Sequence, residues 1–168
     1  MDREVELREF VSARGRALSR TAYLLTGDHQ AAEDLVQEAY VVLVRRWQKH
    51  GAVDPEAYVR RILYSRFVDG WRRRRLWELP WASPPDTPGG DEAGTATDRL
   101  TVQEALTRLT PRQRAVLVLR FYEDLTEVQA AAALGVSPST VKSQTRVALQ
   151  RLRELVPEAA TSFEGVES

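Results

Sequence analysis

The sequence predicts an all-α protein made of two small helical domains. Apolar residues recur at three- and four-residue steps outside one linker and one tail, and we find no alternating strand pattern bounded by turn residues. A Pro- and Gly-rich segment separates the helical residues 1–77 from the helical residues 99–156. These observations favour helix packing on helix, with a linker between two domains.

Three helices are expected in the N-terminal domain. The first ends at Gly27, and the second begins near Asp28 and stops in the loop at 49–53. The third begins with Asp54 as its N-cap and Pro55 in its first turn, because the carboxylate accepts unpaired amides and proline has no amide to lose. Their predicted core residues are Leu7, Phe10, Val11, Leu18, Ala22, Leu25, Ala32, Leu35, Val36, Ala39, Leu43, Trp47, Val59, Ile62, Leu63, Phe67 and Trp71.

The net charge of zero conceals a strong division of charge along the chain. Residues 1–77 and 99–156 each carry a net +4, whereas the segment 78–98 carries −5 and the last residues, 157–168, carry −3. The segment 78–98 also holds four prolines and three glycines, which predicts a flexible acidic linker, and 157–168 is predicted to be an acidic tail. Two basic blocks of this kind indicate a polyanionic partner.

Three further helices are predicted in the C-terminal domain, at about 111–122, 127–134 and 138–155. Thr110 and Thr126 each precede a glutamine by three residues, which is the capping-box pattern. Ser137 followed by Pro138 is a third start signal, and Gly135 fits the left-handed residue that ends a helix.

The last two of these helices have the spacing of a helix-turn-helix, with Val136 filling the corner between them. In that motif the second helix enters the major groove of DNA, and its first residues reach base edges. A solvated cationic face is the alternative. The residues expected to face DNA are Thr140, Lys142, Ser143, Gln144, Arg146 and Val147.

The third helix shows aromatic and basic residues interleaved on the side opposite its core stripe. Such a face suits a strand with unstacked bases, because rings stack on bases while cations hold phosphates. The alternative is that the cations complement the helix dipole. The residues on this side are Arg61, Tyr64, Ser65, Val68 and Arg72.

The second helix presents an acidic strip away from its core side. Asp34, Gln37, Glu38 and Val41 fall together at helical spacing, followed by Arg45. Carboxylates would repel DNA, so the functional interpretation is a protein-docking face, and the alternative is a solvated acidic face near a helix start.

Catalysis and metal binding are not expected. The chain has no cysteine and two histidines, no glycine-rich phosphate loop and no HExxH motif, so we predict no enzyme activity, no cofactor and no metal ion. The N-terminus is charged and the chain has no long apolar run, so we expect no signal peptide and no membrane insertion. These expectations predict a cytoplasmic location.

Four segments together resemble a known family. Residues 32–40 (AEDLVQEAY) and 54–62 (DPEAYVRRI) resemble the second conserved region of sigma-70-type initiation factors. Residues 109–114 (LTPRQR) and 134–143 (LGVSPSTVKS) resemble the fourth region. Two regions joined by a linker are typical of the extracytoplasmic-function (ECF) group.

The resemblance implies a role for each surface. It implies that Asp34, Gln37, Glu38 and Val41 dock on core RNA polymerase, whose contacts would include the clamp of the largest subunit and the flap. It further implies two promoter DNA contacts and an anti-sigma factor as a candidate partner. For the −10 element the implied residues are His50, Arg61, Tyr64, Ser65 and Arg72, together with the loop 50–53. For the −35 element they are Thr140, Lys142, Ser143, Gln144, Arg146 and Val147.

This sequence departs from the family pattern at two places. The loop 49–53 lacks the usual Arg-Gly-Asp/Glu-type sequence, and Val147 stands where many relatives have an arginine. A helix-turn-helix regulator of the response type is the main alternative, because similar Leu-Thr-Pro-Arg and Ser-Pro-Ser-Thr segments occur there. A third alternative is an anti-sigma-like module, which would not need a cationic recognition helix.

Overall fold

The structure, a computed structural model, describes residues 2–50, 54–78 and 101–157. The predicted linker and tail lie almost wholly outside these ranges, as do the loop 51–53 and the side chains of His50 and Arg72. The described residues form α-helices and one π-helix and contain no strand, which confirms the all-α class. In chain order the α-helices are α1 (Arg3–Thr26), α2 (His29–His50), α3 (Pro55–Glu78), α4 (Val102–Thr107), α5 (Pro111–Leu117), α6 (Glu127–Leu134) and α7 (Pro138–Leu155).

The first three helices pack through the apolar stripes expected from the sequence. Every predicted core position of α2 is buried, and α3 buries four of its five. The first turn of α1 is tied to the end of α2, because the indole nitrogen Nε1 of Trp47 donates to the carbonyl oxygen of Arg3 at 3.0 Å. The Asp54 carboxylate accepts from the amide of Ala57 at 3.0 Å, which confirms the predicted N-cap of α3.

The end of α1 depends on a glycine for two reasons. Gly27 has a φ of 70°, in the left-handed region, and its amide donates to the carbonyl of Tyr23. A Cβ on Gly27 would also lie 2.9 Å from Cγ2 of Thr107 at the end of α4. The α1–α2 turn and the end of α4 therefore approach each other at a position that only glycine fills without strain.

Gly27→Ala is expected to lower the free energy of unfolding by more than the ~1–2 kcal/mol that left-handed backbone costs an alanine. Gly135→Ala is the matched control, since Gly135 has a φ of 67° but no atom within 4 Å of an added Cβ. Urea unfolding followed by circular dichroism measures both variants. Equal losses would show that the approach of Thr107 costs nothing.

The C-terminal helices begin where their caps predict. Thr110 and Thr126 form complete capping boxes with Gln113 and Gln129, and Ser137 accepts from the amide of Thr140. The sequence interpretation missed α4, whose own capping box joins Thr101 and Glu104. This box was present in the sequence as Thr-x-x-Glu, but a six-residue helix is too short to show an apolar period.

The turn after α5 has unusual backbone geometry. The predicted helix 111–122 does extend to Tyr122, but Val118–Tyr122 is a π-helix rather than a continuation of α5. Asp124 then has a φ of 53°, the one non-glycine residue with positive φ among those described. Such features are uncommon in proteins and occur most often at functional sites.

The two halves of the chain pack directly against each other. One continuous buried cluster contains Leu25, Leu63 and Phe67 from the first half together with Val116 and Ala130 from the second. A second, smaller cluster is formed by α4, the turn after it, α5 and α7, and Leu24 of α1 packs against it. No helix in the described ranges is both long and apolar enough to span a membrane.

Arg114 on α5 joins the halves through backbone carbonyls. Its Nε donates to the carbonyl of Leu106 at 2.7 Å, and its terminal nitrogens donate to those of Thr107 at 3.0 Å and Leu109 at 3.3 Å. A further bond crosses to the carbonyl of Leu25 at the end of α1. Burial lowers the pKa of Arg114 to about 10, which leaves the guanidinium charged at neutral pH.

Candidate docking and DNA-binding surfaces

The acidic strip of α2 is exposed along its whole length. Asp34, Gln37 and Glu38 are exposed, and Val41 keeps 49% of its surface accessible. The amide nitrogen of Gln30 donates to the Asp34 carboxylate at 3.1 Å, which holds that side chain at the surface. The carboxylates would repel DNA, so this strip suits a protein partner better than a nucleic acid.

A groove beside this strip adds cations that the sequence interpretation did not assign. Arg66 and Arg73 of α3 line the groove opposite Asp34 and Glu38, with Phe67 at its base. Their i, i+7 spacing was the available signal, because it places both arginines on one face of α3. The docking surface therefore carries both signs of charge.

The recognition helix α7 also exposes most of its predicted DNA face. Lys142, Ser143, Arg146 and Val147 are exposed, and the Ser143 hydroxyl donates to the carbonyl of Thr140 at 3.0 Å. Thr140 and Gln144, in contrast, are only half-exposed. Four residues of the predicted DNA face are therefore accessible, whereas Thr140 and Gln144 lie on the side of α7 nearest α3.

The structure corrects the predicted exposure of Tyr64. Its side chain is fully buried, although Arg61 and Ser65 beside it are exposed. The helical period placed Tyr64 opposite the core of the first half, but that side of α3 is covered by the second half of the chain. Its hydroxyl donates to Oε2 of Glu123 at 3.0 Å.

Burial is the main cause that raises the pKa of Tyr64 well above its usual value, and the negative charge of Glu123 adds to it. The phenol is consequently neutral and acts as a hydrogen-bond donor at physiological pH. Glu123 itself was not singled out as a site residue by the sequence, because no local pattern relates it to a residue 59 positions earlier.

Glu123 belongs to a chain of polar contacts that crosses the junction. Arg60 of α3 lies 3.3 Å from Glu123 and 3.3 Å from Glu56, and Arg14 of α1 pairs with Glu56. The hydroxyl of Thr21 on α1 also donates to Oε1 of Glu123 at 3.4 Å. Charged groups from three separate elements are thus matched where the halves meet.

The two predicted DNA faces oppose each other across a cleft of about 150 Å³. Tyr64 and Ser65 line it from α3, and Thr140 and Gln144 line it from α7. The cleft is too small for a base pair or a helix. In this arrangement the predicted −10 face of α3 and the near flank of α7 cannot both engage DNA.

The described residues contain no group of three or more His, Asp or Glu side chains placed to hold a metal ion. The acidic strip borders the groove, and α7 borders the cleft.

Two family models match the halves of the chain in order. The model described as Sigma-70 region 2 matches residues 10–76, and that described as Sigma-70, region 4 matches residues 105–154. The chain is 40% identical over 153 residues to the RNA polymerase sigma-E factor of Streptomyces avermitilis, covering 89% of this chain and 84% of that protein. It is 31% identical over 156 residues to the ECF RNA polymerase sigma factor SigL of Mycobacterium tuberculosis, covering 88% and 86% respectively.

The fold is similar to that of a solved sigma factor. The superposition on RpoE from Bartonella quintana, solved in complex with the anti-sigma factor NepR, gives a TM-score of 0.66. It covers 89% of this chain and 96% of that chain at 24% sequence identity. At that identity the likeness speaks for the arrangement of helices alone.

Proposed function

This chain belongs to the sigma-70 family of RNA polymerase sigma factors, in its ECF group, and we propose how its two halves divide the work of starting transcription. It directs RNA polymerase to promoters. Residues 1–77 are assigned to polymerase docking and the −10 element, and residues 99–156 to the −35 element. The helix-turn-helix regulator favoured as an alternative by sequence is not supported, because the first half matches region 2.

The observation that carries this assignment is the pair of exposed surfaces of opposite character. The acidic strip of α2 would be repelled by DNA, while Lys142 and Arg146 on α7 would be attracted to it. A single chain thus offers one face to protein and another to DNA, as a subunit that links polymerase to a promoter must. We infer a cytoplasmic location, since both partners are found there.

Base stacking on the protein accounts for opening of the −10 element without nucleotide hydrolysis. Unstacking a base costs a few kcal/mol, and stacking on protein returns about 1–3 kcal/mol per captured base. Tyr64 and Ser65, with the loop 50–53, are our candidates for this capture. Because Tyr64 is buried, α3 must first separate from the second half of the chain.

We propose that the chain itself makes and breaks no covalent bond. Its side chains supply affinity, register and stacking, and the polymerase supplies the chemistry. An anti-sigma factor is proposed as a further partner, on the support of the RpoE structure, in which one is bound.

Reconstitution tests the function directly. Purified chain added to core RNA polymerase is expected to give transcripts that start at discrete promoters, whereas core polymerase alone gives none of them. Sequencing the transcript ends on genomic template supplies both promoter elements. Absence of any chain-dependent start site, with a chain that remains folded, would refute the assignment.

The docking strip can be tested within the same assay. Asp34→Ala combined with Gln37→Ala is expected to weaken core polymerase binding about tenfold, since truncation of a central interface residue typically costs more than 1 kcal/mol. Glu33→Ala is the matched control, because it removes one exposed carboxylate about 100° around the same helix. Fluorescence anisotropy of labelled chain measures binding, and equal effects of both changes would remove the strip from the interface.

A further inference from the structure

Glu123 is the one described carboxylate of the second half that contacts three polar side chains of the first half. It accepts from Tyr64 at 3.0 Å and from Thr21 at 3.4 Å, and it pairs with Arg60 at 3.3 Å. Its side chain keeps only 15% of its surface exposed, and that of Arg60 keeps 19%. These ionised groups lie largely out of water, where a matched partner matters far more than at the surface.

The backbone before and after Glu123 is built to aim it. It follows the π-helix Val118–Tyr122, its amide donates to the carbonyl of Val118 at 2.9 Å, and Asp124 adopts a left-handed φ of 53°. The amide of Leu125 then donates to the carbonyl of Leu119 at 3.0 Å. A regular α-helix through these residues would rotate the carboxylate to another direction, so the irregular turn has a positional consequence.

An apolar cluster borders this contact on one side. Tyr64 and Phe67 of α3 share a buried cluster with Val116 and Ala130 of the second half. Loss of the Glu123 charge would remove one of the two carboxylates that pair with Arg60 and the charged acceptor of the Tyr64 hydroxyl. That loss is unfavourable for the packed arrangement but not for the separated one, where water solvates both groups.

We propose that Glu123 is an interdomain latch, which holds the free chain in a closed state where region 4 covers the Tyr64 face of α3. The proposal rests on the proposed function for its biological meaning: the latch must open before α3 can take up a −10 base. The latch itself is a property of the chain alone. Binding of polymerase would favour the open state by separating the two regions.

The distance between the halves tests the latch. The chain has no cysteine, so Glu9→Cys on α1 and Gln150→Cys on α7, both exposed, give two unique labelling sites. Single-molecule energy transfer should show a compact population for the otherwise unchanged chain. Glu123→Gln, which keeps the shape and removes the charge, is expected to raise the ratio of open to closed molecules about tenfold, as expected for a lost charged hydrogen bond.

Two variants complete the design. Glu154→Gln is the matched control, because it makes the same change in the same half on an exposed side chain paired only locally with Arg151. Tyr64→Phe removes the hydroxyl alone and is expected to open the chain by a smaller factor than Glu123→Gln. Circular dichroism checks that each variant remains helical, and Tyr64→Phe keeps the test decisive where Glu123→Gln fails to fold.

The latch would be overturned if neither Glu123→Gln nor Tyr64→Phe changed the distribution of distances between the two labels. It would also be overturned if open molecules already dominated in the labelled chain that carries neither change. These measurements use the chain without polymerase or DNA. A chain that opens on Glu123→Gln yet supports no transcription would retain the latch and refute the proposed function. If the chain supports transcription but the distance between its halves is unchanged by Glu123→Gln and Tyr64→Phe, the proposed function stands and the latch is refuted.

Discussion

Replacing Arg114 by methionine is expected to lower the free energy of unfolding by about 3–5 kcal/mol, because it removes four hydrogen bonds, three of them part-buried. The guanidinium donates to four backbone carbonyls, at Leu25, Leu106, Thr107 and Leu109. Methionine fills a similar volume, so the loss reports on the hydrogen bonds rather than on a cavity.

The measurement is guanidinium unfolding, followed by helix content and by the emission of the tryptophans, all four of which lie in residues 1–81. Arg112→Met is the matched control, since Arg112 is exposed two residues earlier on the same helix. Arg114→Lys should recover only part of the loss, because an ammonium cannot reach four carbonyls arranged for a planar fork. A loss for Arg114→Met no larger than that for Arg112→Met would refute this account.

Replacing Arg146 by alanine is expected to relax the −35 preference at one position, by about 1–3 kcal/mol of discrimination. Arg146 is exposed two turns into α7, the helix that we propose enters the major groove. A base-reading arginine acts through its planar pair of donors, whereas a phosphate contact acts mainly through its charge.

Arg146→Lys separates these two contributions. It is expected to lose the preference while keeping the salt dependence of binding, whereas Arg146→Ala also lowers the salt slope by about one. Holoenzyme binding to a promoter library randomised at the −35 element, measured at several salt concentrations, gives both quantities. A uniform loss of affinity across all sequences would make Arg146 a phosphate contact.

Much of the fold could be predicted because its signals are local. The stripe of α2 and the caps at Asp54, Thr110, Thr126 and Ser137 depend on residues within one or two turns, and all are confirmed. The π-helix was not predicted, since its residues Val118–Tyr122 have an ordinary helical composition.

One candidate surface was predicted correctly from the sequence and another was not. The strip Asp34, Gln37 and Glu38 is exposed as expected, since none of the residues that the structure describes covers that side of α2. The face of α3 was predicted with Tyr64 outward, yet Tyr64 is buried. A helical period tells which residues share a face, but not how many faces of a helix are covered.

The residues taken alone predict every α-helix of the described ranges except α4, most of the caps, the charge of each half and the motifs by which the chain resembles its family. The packing in three dimensions sets two features that they do not predict: region 4 lies on the Tyr64 face of α3, and Glu123 contacts Tyr64 and Thr21. These partners lie 59 and 102 positions apart in the chain. Contacts at such separation depend on which apolar faces pack together and on the irregular turn at 118–124, and the local pattern of residues specifies neither.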